Sequence, residues 1–448
     1  MTRTILAVAG LALLTATFAT AAPARSAAPQ TQCEPAAAMP AATTAVAFWS
    51  TEARCAIVPP PAGPENFGNK FPGEAAVYMG IVHAAIYDAA VAIDGGYRPY
   101  GDIRVKAPAG ASPDAAIATA AHDTLVGLQP ALGLTPPQQS ILDGDYTAYV
   151  AALTDGRSKS DGIAVGRQVA AAILALRAND GRERNPTLAD LNPPAPAPGV
   201  WTPNPAAPPG TPPPPVLGLR LPGMRPLALS TASQFRPGPP YALTSPLFAR
   251  DLAQVRALGR ADSTVRTAGQ TAQALFWTDH DLRQWNDGLL RLAAARGLSR
   301  LQTARMLAMA HVAGGDAMIA CFDAKFHYWF WRPYQALAQV DASWSPLRPT
   351  PNFPEYPSAH ACHSGAVTEA LRAFLGTDRV QLTLDSRVTG TTRTYARLRD
   401  VVRDVDEARV LAGFHFWTSD LTGASLGAKV GRYTAGRLFQ RQPPSRRH

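Results

Sequence analysis

The chain has 448 residues, 46% of them hydrophobic and 17% charged. Such a composition belongs to a globular chain and excludes a disordered one, and the length allows one large domain or two moderate ones with ample core. The formal net charge of +9 suits anionic small molecules, whereas no basic run alternates with exposed aromatics as a nucleic-acid surface would require.

The N-terminus, residues 1–21, reads as a signal peptide. Arg3 supplies the positive start, Ile5 to Phe18 the apolar run, and "ATA" at 19–21 the small-residue cleavage pattern. That run is too short and too rich in Thr for a firm membrane span, and no later stretch is expected to cross a membrane. Export to a secreted, extracellular or periplasmic location is expected. Residues 22–46, rich in Ala, Pro and Thr, are expected to form a flexible leader. Four cysteines agree with an oxidising compartment and allow three pairings. Cys33–Cys55 is the natural local loop. Cys321–Cys362 would then tie two segments argued below to meet, the alternative being that Cys362 is a buried free thiol.

Residues 47–192 read as an N-terminal helical bundle. "EAAVYMGIVHAAIYDAAVAI" between Gly73 and Gly95 repeats apolar residues at spacings of three and four. The same pattern predicts helices over 113–128, 136–154 and 159–178. Ser112 followed by Pro113 and Asp114, and "TPPQQ" farther on, are helix start signals. Residues 193–215 then hold 12 of the 42 prolines, which excludes helix or sheet interior. The segment 193–240 is therefore a linker or an ordered surface strap, and Trp201 in "GVWTPNP" could pin it to the body. A C-terminal bundle over 241–440 carries predicted helices at 246–257, 262–276, 281–296, 299–324, 361–375 and 405–437, before a basic tail at 441–448. Strand alternation is almost absent, so the fold class is all-α, built of helical bundles. "HAAIYDAAVA" at 83–92 resembles "HVAGGDAMIA" at 311–320. Two related bundles would explain that likeness, and chance similarity of two Ala-rich helices is the plain alternative.

Three stretches carry chemistry. In "KFHYWFWRP", Lys325 and Arg332 bracket five aromatic rings. Burying a cation costs several kcal/mol unless something negative meets it. Two helical turns separate the pair, so both can point the same way, and Pro333 ends the helix near Arg332. In "YPSAHACHSGA", Ser358 suits a helix N-cap, so the N–H groups of Ala359 and His360 face outward as an anion site, with the Ser358 hydroxyl and the His360 ring beside them. In "ARVLAGFHFW", Arg409 and His415 converge only if the helix is irregular near Gly413 or if they flank a site. These residues include no carboxylate. Three cations would repel Zn²⁺ and welcome a tetrahedral oxyanion such as phosphate or vanadate.

Lys325-x6-Arg332-Pro333, then Pro357-Ser358-Ala359-His360, then Arg409-x5-His415 resembles the three-part signature of the vanadium-dependent haloperoxidases and the type 2 phosphatidic acid phosphatases. "VHAAIYDAA" and "WTPNP" look like the bacterial secreted branch of the haloperoxidases. The resemblance implies that vanadate is the cofactor, that His415 bonds its vanadium, and that phosphate can occupy the same site. Lys325, Arg332 and Arg409 would neutralise the oxygens with help from Ser358 and the Ala359 N–H, and His360 would serve as acid and base. Hydrogen peroxide, a halide and a small organic acceptor would be the partners. The phosphatase reading uses the same residues, with His415 attacking phosphorus to form a phosphohistidine and His360 protonating the leaving alcohol.

The sequence departs from those patterns in places. Ala359 stands where the signature has Gly, and Ala408 where the phosphatases have Ser. Ser419 stands where the phosphatase pattern has an Asp that orients the histidine ring, with Asp420 one residue later. Phe353, seven residues before His360, matches the chloroperoxidase-like choice. A third reading is an oxyanion-binding protein without turnover, against which an intact His360 argues.

Plainer readings exist for single residues. Arg332 could pair with Asp323. His415 could be a satisfied core histidine. His327 and His363 are expected to be structural neighbours of the site, and His83, His122, His280 and His311 packing residues. Trp329, Phe330 and Trp331 are expected in core or pocket wall. The oligomeric state is left open.

Overall fold

The computed structural model describes residues 44–59, 68–205 and 211–442. The signal-peptide reading, Cys33 and most of the basic tail lie outside them. The described residues form thirteen α-helices and one two-stranded sheet, so the all-α class holds. In the N-terminal half these are α1 (Ala45–Ile57), α2 (Pro72–Asp94), α3 (Pro113–Leu132), α4 (Pro136–Ala151) and α5 (Arg157–Leu176). α1 begins two residues inside the stretch expected as leader, because Thr44 caps it by accepting from Ala47 N–H at 3.3 Å. α2 is long and apolar enough to cross a membrane, contrary to the expectation that no later segment would be, but 89% of its apolar window is buried in the fold. It is a core helix here because helices cover it on several sides.

The C-terminal half comprises α6 (Pro246–Leu258), α7 (Ala268–Phe276), α8 (Asp281–Ala295), α9 (Arg300–Tyr328), α10 (Pro333–Leu337), α11 (Ala359–Leu375), β1 (Arg379–Ser386), β2 (Thr391–Arg397), α12 (Leu398–Leu411) and α13 (Trp417–Arg437). Several of these differ from the sequence reading. β1 and β2 form an antiparallel hairpin, missed because β1 has only three apolar inward positions, Val380, Leu382 and Leu384, before the polar Ser386, and β2 is Thr- and Arg-rich. α7 starts at Ala268, where Thr267 and Gln270 make a capping box. The single helix expected over 405–437 is two, because Gly413 at φ 79° turns the chain. α9 ends at Tyr328, with Trp329 in the left-handed region at φ 52°.

α2 and α9, the two helices of the faint repeat, pack against each other, and one hydrophobic core runs through both halves. Their repeat histidines, His83 and His311, stack with ring centroids 4.5 Å apart. Ser50 Oγ lies 3.1 Å from His83 Nε2 and donates to Asn286 Oδ1 at 2.9 Å, and His311 Nε2 meets the same oxygen at 3.0 Å. The Pro-rich segment runs along the body. Trp201 is buried, its N–H donates to Trp329 O at 2.6 Å, and Trp331 N–H donates to Gly199 O at 3.0 Å.

The pairing expected between Cys321 and Cys362 is not made. Both are buried free thiols. Cys321 Sγ donates to Pro357 O at 3.6 Å with Cys362 as its hydrogen-bonded neighbour. Cys55 is disulfide-bonded; the partner expected for it, Cys33, lies outside the described residues.

Candidate oxyanion site

Four elements meet at the site. Lys325 lies in the last turn of α9, and Arg332 is the N-cap of α10 with φ −82° and ψ 157°. They come together through the turn at Trp329 and not by two turns of one helix. Ser358 is the N-cap of α11. Arg409 sits in the last turn of α12, and His415 in the loop before α13. α11 and α13 approach closely because α13 presents glycines there. A Cβ at Gly427 would lie 2.0 Å from Cys362 O, and one at Gly423 2.5 Å from Ser358 O.

The three cations are buried and held by backbone carbonyls. Lys325 Nζ donates to Pro354 O at 3.0 Å and to Glu355 O at 2.8 Å. Arg332 Nε donates to Phe353 O and Nη1 to Phe414 O, each at 2.9 Å. Arg409 Nη1 donates to Trp277 O at 2.6 Å. Arg332 has no partner in Asp323, which is engaged by Arg236 at 2.7 Å. The Phe353 ring lies 5.0 Å from Lys325 Nζ and 4.7 Å from the Arg332 guanidinium carbon, and Phe414 lies 4.6 Å from that of Arg409. Rings facing cations supply a further favourable electrostatic contact.

His415 is oriented from both sides. Its Nε2 lies 3.0 Å from Arg332 Nη1 and its Nδ1 2.9 Å from Glu355 Oε1. A guanidinium only donates, so Nε2 must carry a lone pair. The proton is then on Nδ1, given to the carboxylate. Burial, then the charges of Arg332, Lys325 and Arg409, hold the ring well below its ordinary pKa, so it is neutral. Glu355 is completely buried and also accepts from Phe416 N–H at 3.0 Å and Ser419 Oγ at 2.6 Å. Burial pushes Glu355 up to about 7, against the hydrogen bond from Ser419 and the charges of Arg332 and Lys325. Glu355 was missed in the sequence. The signal that could have found it is a lone carboxylate in the apolar run "NFPEYP". It supplies the ring-orienting carboxylate that the Ser419 position lacks, and Ser419 becomes its donor.

Burial lowers Lys325 to about 8, with Arg332 adding to the effect, and lowers both Arg332 and Arg409 to about 10. His360 falls to about 3, through burial and then the charge of Arg409. Four polar atoms of the set are buried without a hydrogen-bond partner: Arg332 Nη2, Arg409 Nε, His360 Nε2 and Ser358 Oγ. Ser358 does not cap its own helix, and it lies beside the Asp420 carboxyl without a well-formed hydrogen bond. A buried donor left unmade costs about 1–3 kcal/mol, more when charged. Donors of this kind fit a bound oxyanion, and the lone pair on His415 Nε2 fits a ligand to its central atom. Among the described residues no group of three or more His, Cys, Asp or Glu could hold a metal ion.

Ala359, His360, Arg409 and His415 line one end of a cavity of about 480 Å³. His280, expected as a packing residue, also lines it, and its Nε2 donates to Lys70 O at 3.1 Å. His363 does not line it and meets Asp281 Oδ2 through Nδ1 at 2.9 Å. His327 Nδ1 lies 3.3 Å from Arg236 Nη1, and the residue does not line the cavity. Trp329, Phe330 and Trp331 are core residues.

The family described as the VCPO second helical-bundle domain matches residues 338–442. Ser358, Ala359, His360, Arg409 and His415 lie inside that segment; Lys325 and Arg332 precede it. The vanadium chloroperoxidase of Curvularia inaequalis is 30% identical over 145 residues, which is 25% of this chain and 24% of that protein. Among solved structures, the crystal structure of the first bacterial vanadium-dependent iodoperoxidase aligns with TM-score 0.71 at 21% identity, over 89% of this chain and 97% of that one. An apo-type bacterial vanadium-dependent chloroperoxidase aligns with TM-score 0.66 at 16% identity, over 82% and 95%. At such identities the structural likeness speaks for the fold. In fold over most of its length, and in sequence over residues 338–442, this chain resembles the vanadium-dependent haloperoxidases.

Proposed function

We propose that the chain is a vanadium-dependent haloperoxidase that oxidises halide with hydrogen peroxide at a vanadate held by His415. The observation that supports this most strongly is the buried His415 ring held between Arg332 Nη1 and Glu355 Oε1, in a set of residues with four unpartnered buried polar atoms. Bound there, vanadate would supply the electrophilic centre that activates peroxide towards halide. The chain's residues supply the rest. His415 offers Nε2 to vanadium while Glu355 keeps the proton on Nδ1. Lys325, Arg332 and Arg409 hold the negative oxygens, and Ser358 Oγ and the Ala359 N–H donate to them. His360, neutral at pH 7, takes up or returns a proton at Nε2. Fixed positive charge in a dry site withdraws electron density without reorganising during the reaction.

One observation favours a second reading, a secreted acid phosphatase. Glu355 behind His415 gives the ring the support that a nucleophilic histidine needs. Two assays on the purified protein separate the readings. Orthovanadate-loaded protein is tested for halogenation with peroxide and bromide or chloride, and vanadate-free protein for hydrolysis of a phosphate monoester. Halogenation that needs vanadate and is lost in His415→Ala is the expected result. Vanadate-inhibited hydrolysis without halogenation would make the chain a phosphatase, and silence in both would leave a binding protein. Export is part of the proposal, supported by the Cys55 disulfide.

A further inference from the structure

The cavity is far larger than the chemistry at its oxyanion end requires. It measures about 480 Å³, whereas a water molecule's share of liquid volume is about 30 Å³ and peroxide and a halide ion are of comparable size. Most of the remaining wall is apolar: Phe71, Leu217, Met318, Phe322, Phe353 and Phe414. Met318, Phe322, Phe353 and Phe414 are buried and packed in place. Phe322 and Phe353 meet at 5.1 Å between centroids with planes 58° apart. The Pro-rich segment closes one side. Leu217 N–H donates to Asn352 O at 3.0 Å, and Gly218, at φ 77°, passes so near Phe322 that a Cβ there would lie 2.2 Å from the ring. A preformed cavity of this size and lining is the kind that holds a small organic molecule.

Its charge is also set. Asp279 lines the cavity but is already engaged by Arg283 at 2.8 Å and by Arg387 N–H at 2.6 Å. Arg348 lines the cavity, is exposed, and pairs with no carboxylate among the described residues.

We infer that the organic acceptor itself binds in this cavity, and that its class is an electron-rich aromatic ring bearing an acidic group, the ring against the phenylalanines and the acid at Arg348. The acceptor role rests on the haloperoxidase reading. In that reading halide, peroxide and a proton give hypohalous acid and water. The ring carbon then takes the halogen from hypohalous acid, and the ring proton leaves with the hydroxyl as water. A ring held beside the oxyanion end is halogenated at the position the cavity presents, and not at whichever carbon reacts fastest in bulk water.

The test is direct binding to the full chain without vanadate, by calorimetry, with 2-naphthoate, 2-naphthol and 2-naphthylmethylammonium as probes and octanoate as a non-aromatic acid. We expect 2-naphthoate to bind about threefold tighter than 2-naphthol, the scale of one exposed charge pair, and the cation to bind weakest. Arg348→Gln, a surface change that spares the fold, removes the advantage of the acid. Leu217→Trp fills the cavity and abolishes binding of both rings while orthophosphate still binds. Equal binding by Leu217→Trp and the unaltered chain, preference for the cation, octanoate binding as tightly as naphthoate, or no binding of any ring would each overturn the inference. Orthophosphate measured in the same samples keeps the two claims apart. Its failure with naphthoate retained sinks the oxyanion reading and leaves the cavity's ligand class standing, and the reverse sinks the cavity alone.

Discussion

Arg332 and Glu355 together set the tautomer of His415, one donating to Nε2 and the other accepting from Nδ1. As a carboxylate Glu355 can only accept, so it draws the proton to Nδ1 and leaves Nε2 for a ligand. In Glu355→Gln the negative charge that holds the Nδ1 proton and makes Nε2 a stronger ligand is lost, while Arg332 still faces Nε2. We expect orthovanadate affinity to fall roughly 10–100-fold, the usual scale for losing such a supporting partner. Equilibrium dialysis with a thermal melt as a folding control measures it, and unchanged affinity in a folded variant would remove Glu355 from this role. Lys325 makes a pH prediction. Burial first, then the charge of Arg332, lowers it from the ordinary 10.5 to about 8. Between those values the unfolded chain holds more protons than the folded one, so this group favours folding more as pH rises through the window. A bound anion restores the charge on Lys325 and reverses that balance. Phosphate should therefore raise Tm most at about pH 7 and much less at about pH 9.5; a phosphate shift that grows with pH would contradict the assignment. The candidate cations were legible in the sequence because cations in an apolar run need an explanation. Glu355 and His280 were not, since each gains its meaning from a partner brought in by the fold: His415, sixty residues on, for Glu355 and the Lys70 carbonyl for His280.

At the level of elements, the site depends on how closely α13 lies on α11, the helix that starts at the anion. The contact is backbone on backbone at Gly427, where a Cβ would sit 2.0 Å from Cys362 O. Gly427→Ala must push the helices apart. A stability loss of about 3 kcal/mol is expected, with weaker orthophosphate binding, measured by urea unfolding and calorimetry on one preparation. An unchanged denaturation midpoint would show that the contact is slack. The long helices were legible from apolar spacing, start signals and proline, all of which act locally. The hairpin was not. It owes its place to α8, where buried Arg283 reaches Asp385 at 2.7 Å and Gln284 donates to Asp385 O at 3.0 Å. Nothing in the strands' own residues announces that anchoring. The break between α12 and α13 lay one step nearer to sight, since Gly413 was visible and only its left-handed conformation was not.

Across the whole molecule, the two helical halves share one core. The stacked pair His83 and His311, with Ser50 and Asn286, joins α1, α2, α8 and α9 at their crossing. Burial lowers His83 to about 3 and His311 well below its ordinary value, so the stack is neutral and can be close. Halves that share a core should unfold together. Calorimetry should give one transition, and two resolved transitions would mean that the bundles are independent. Such unity also holds the anion site rigid, because α9 carries Lys325 at one end and packs on α2 and α11 along its length.

A crystal structure of the protein grown with orthovanadate would show whether His415 is the vanadium ligand. We expect vanadium bonded to His415 Nε2, its oxygens met by Lys325, Arg332, Arg409, Ser358 and the Ala359 N–H, with Glu355 still on Nδ1. Vanadate bound elsewhere, or held through its oxygens alone with His415 Nε2 turned away, would contradict that assignment.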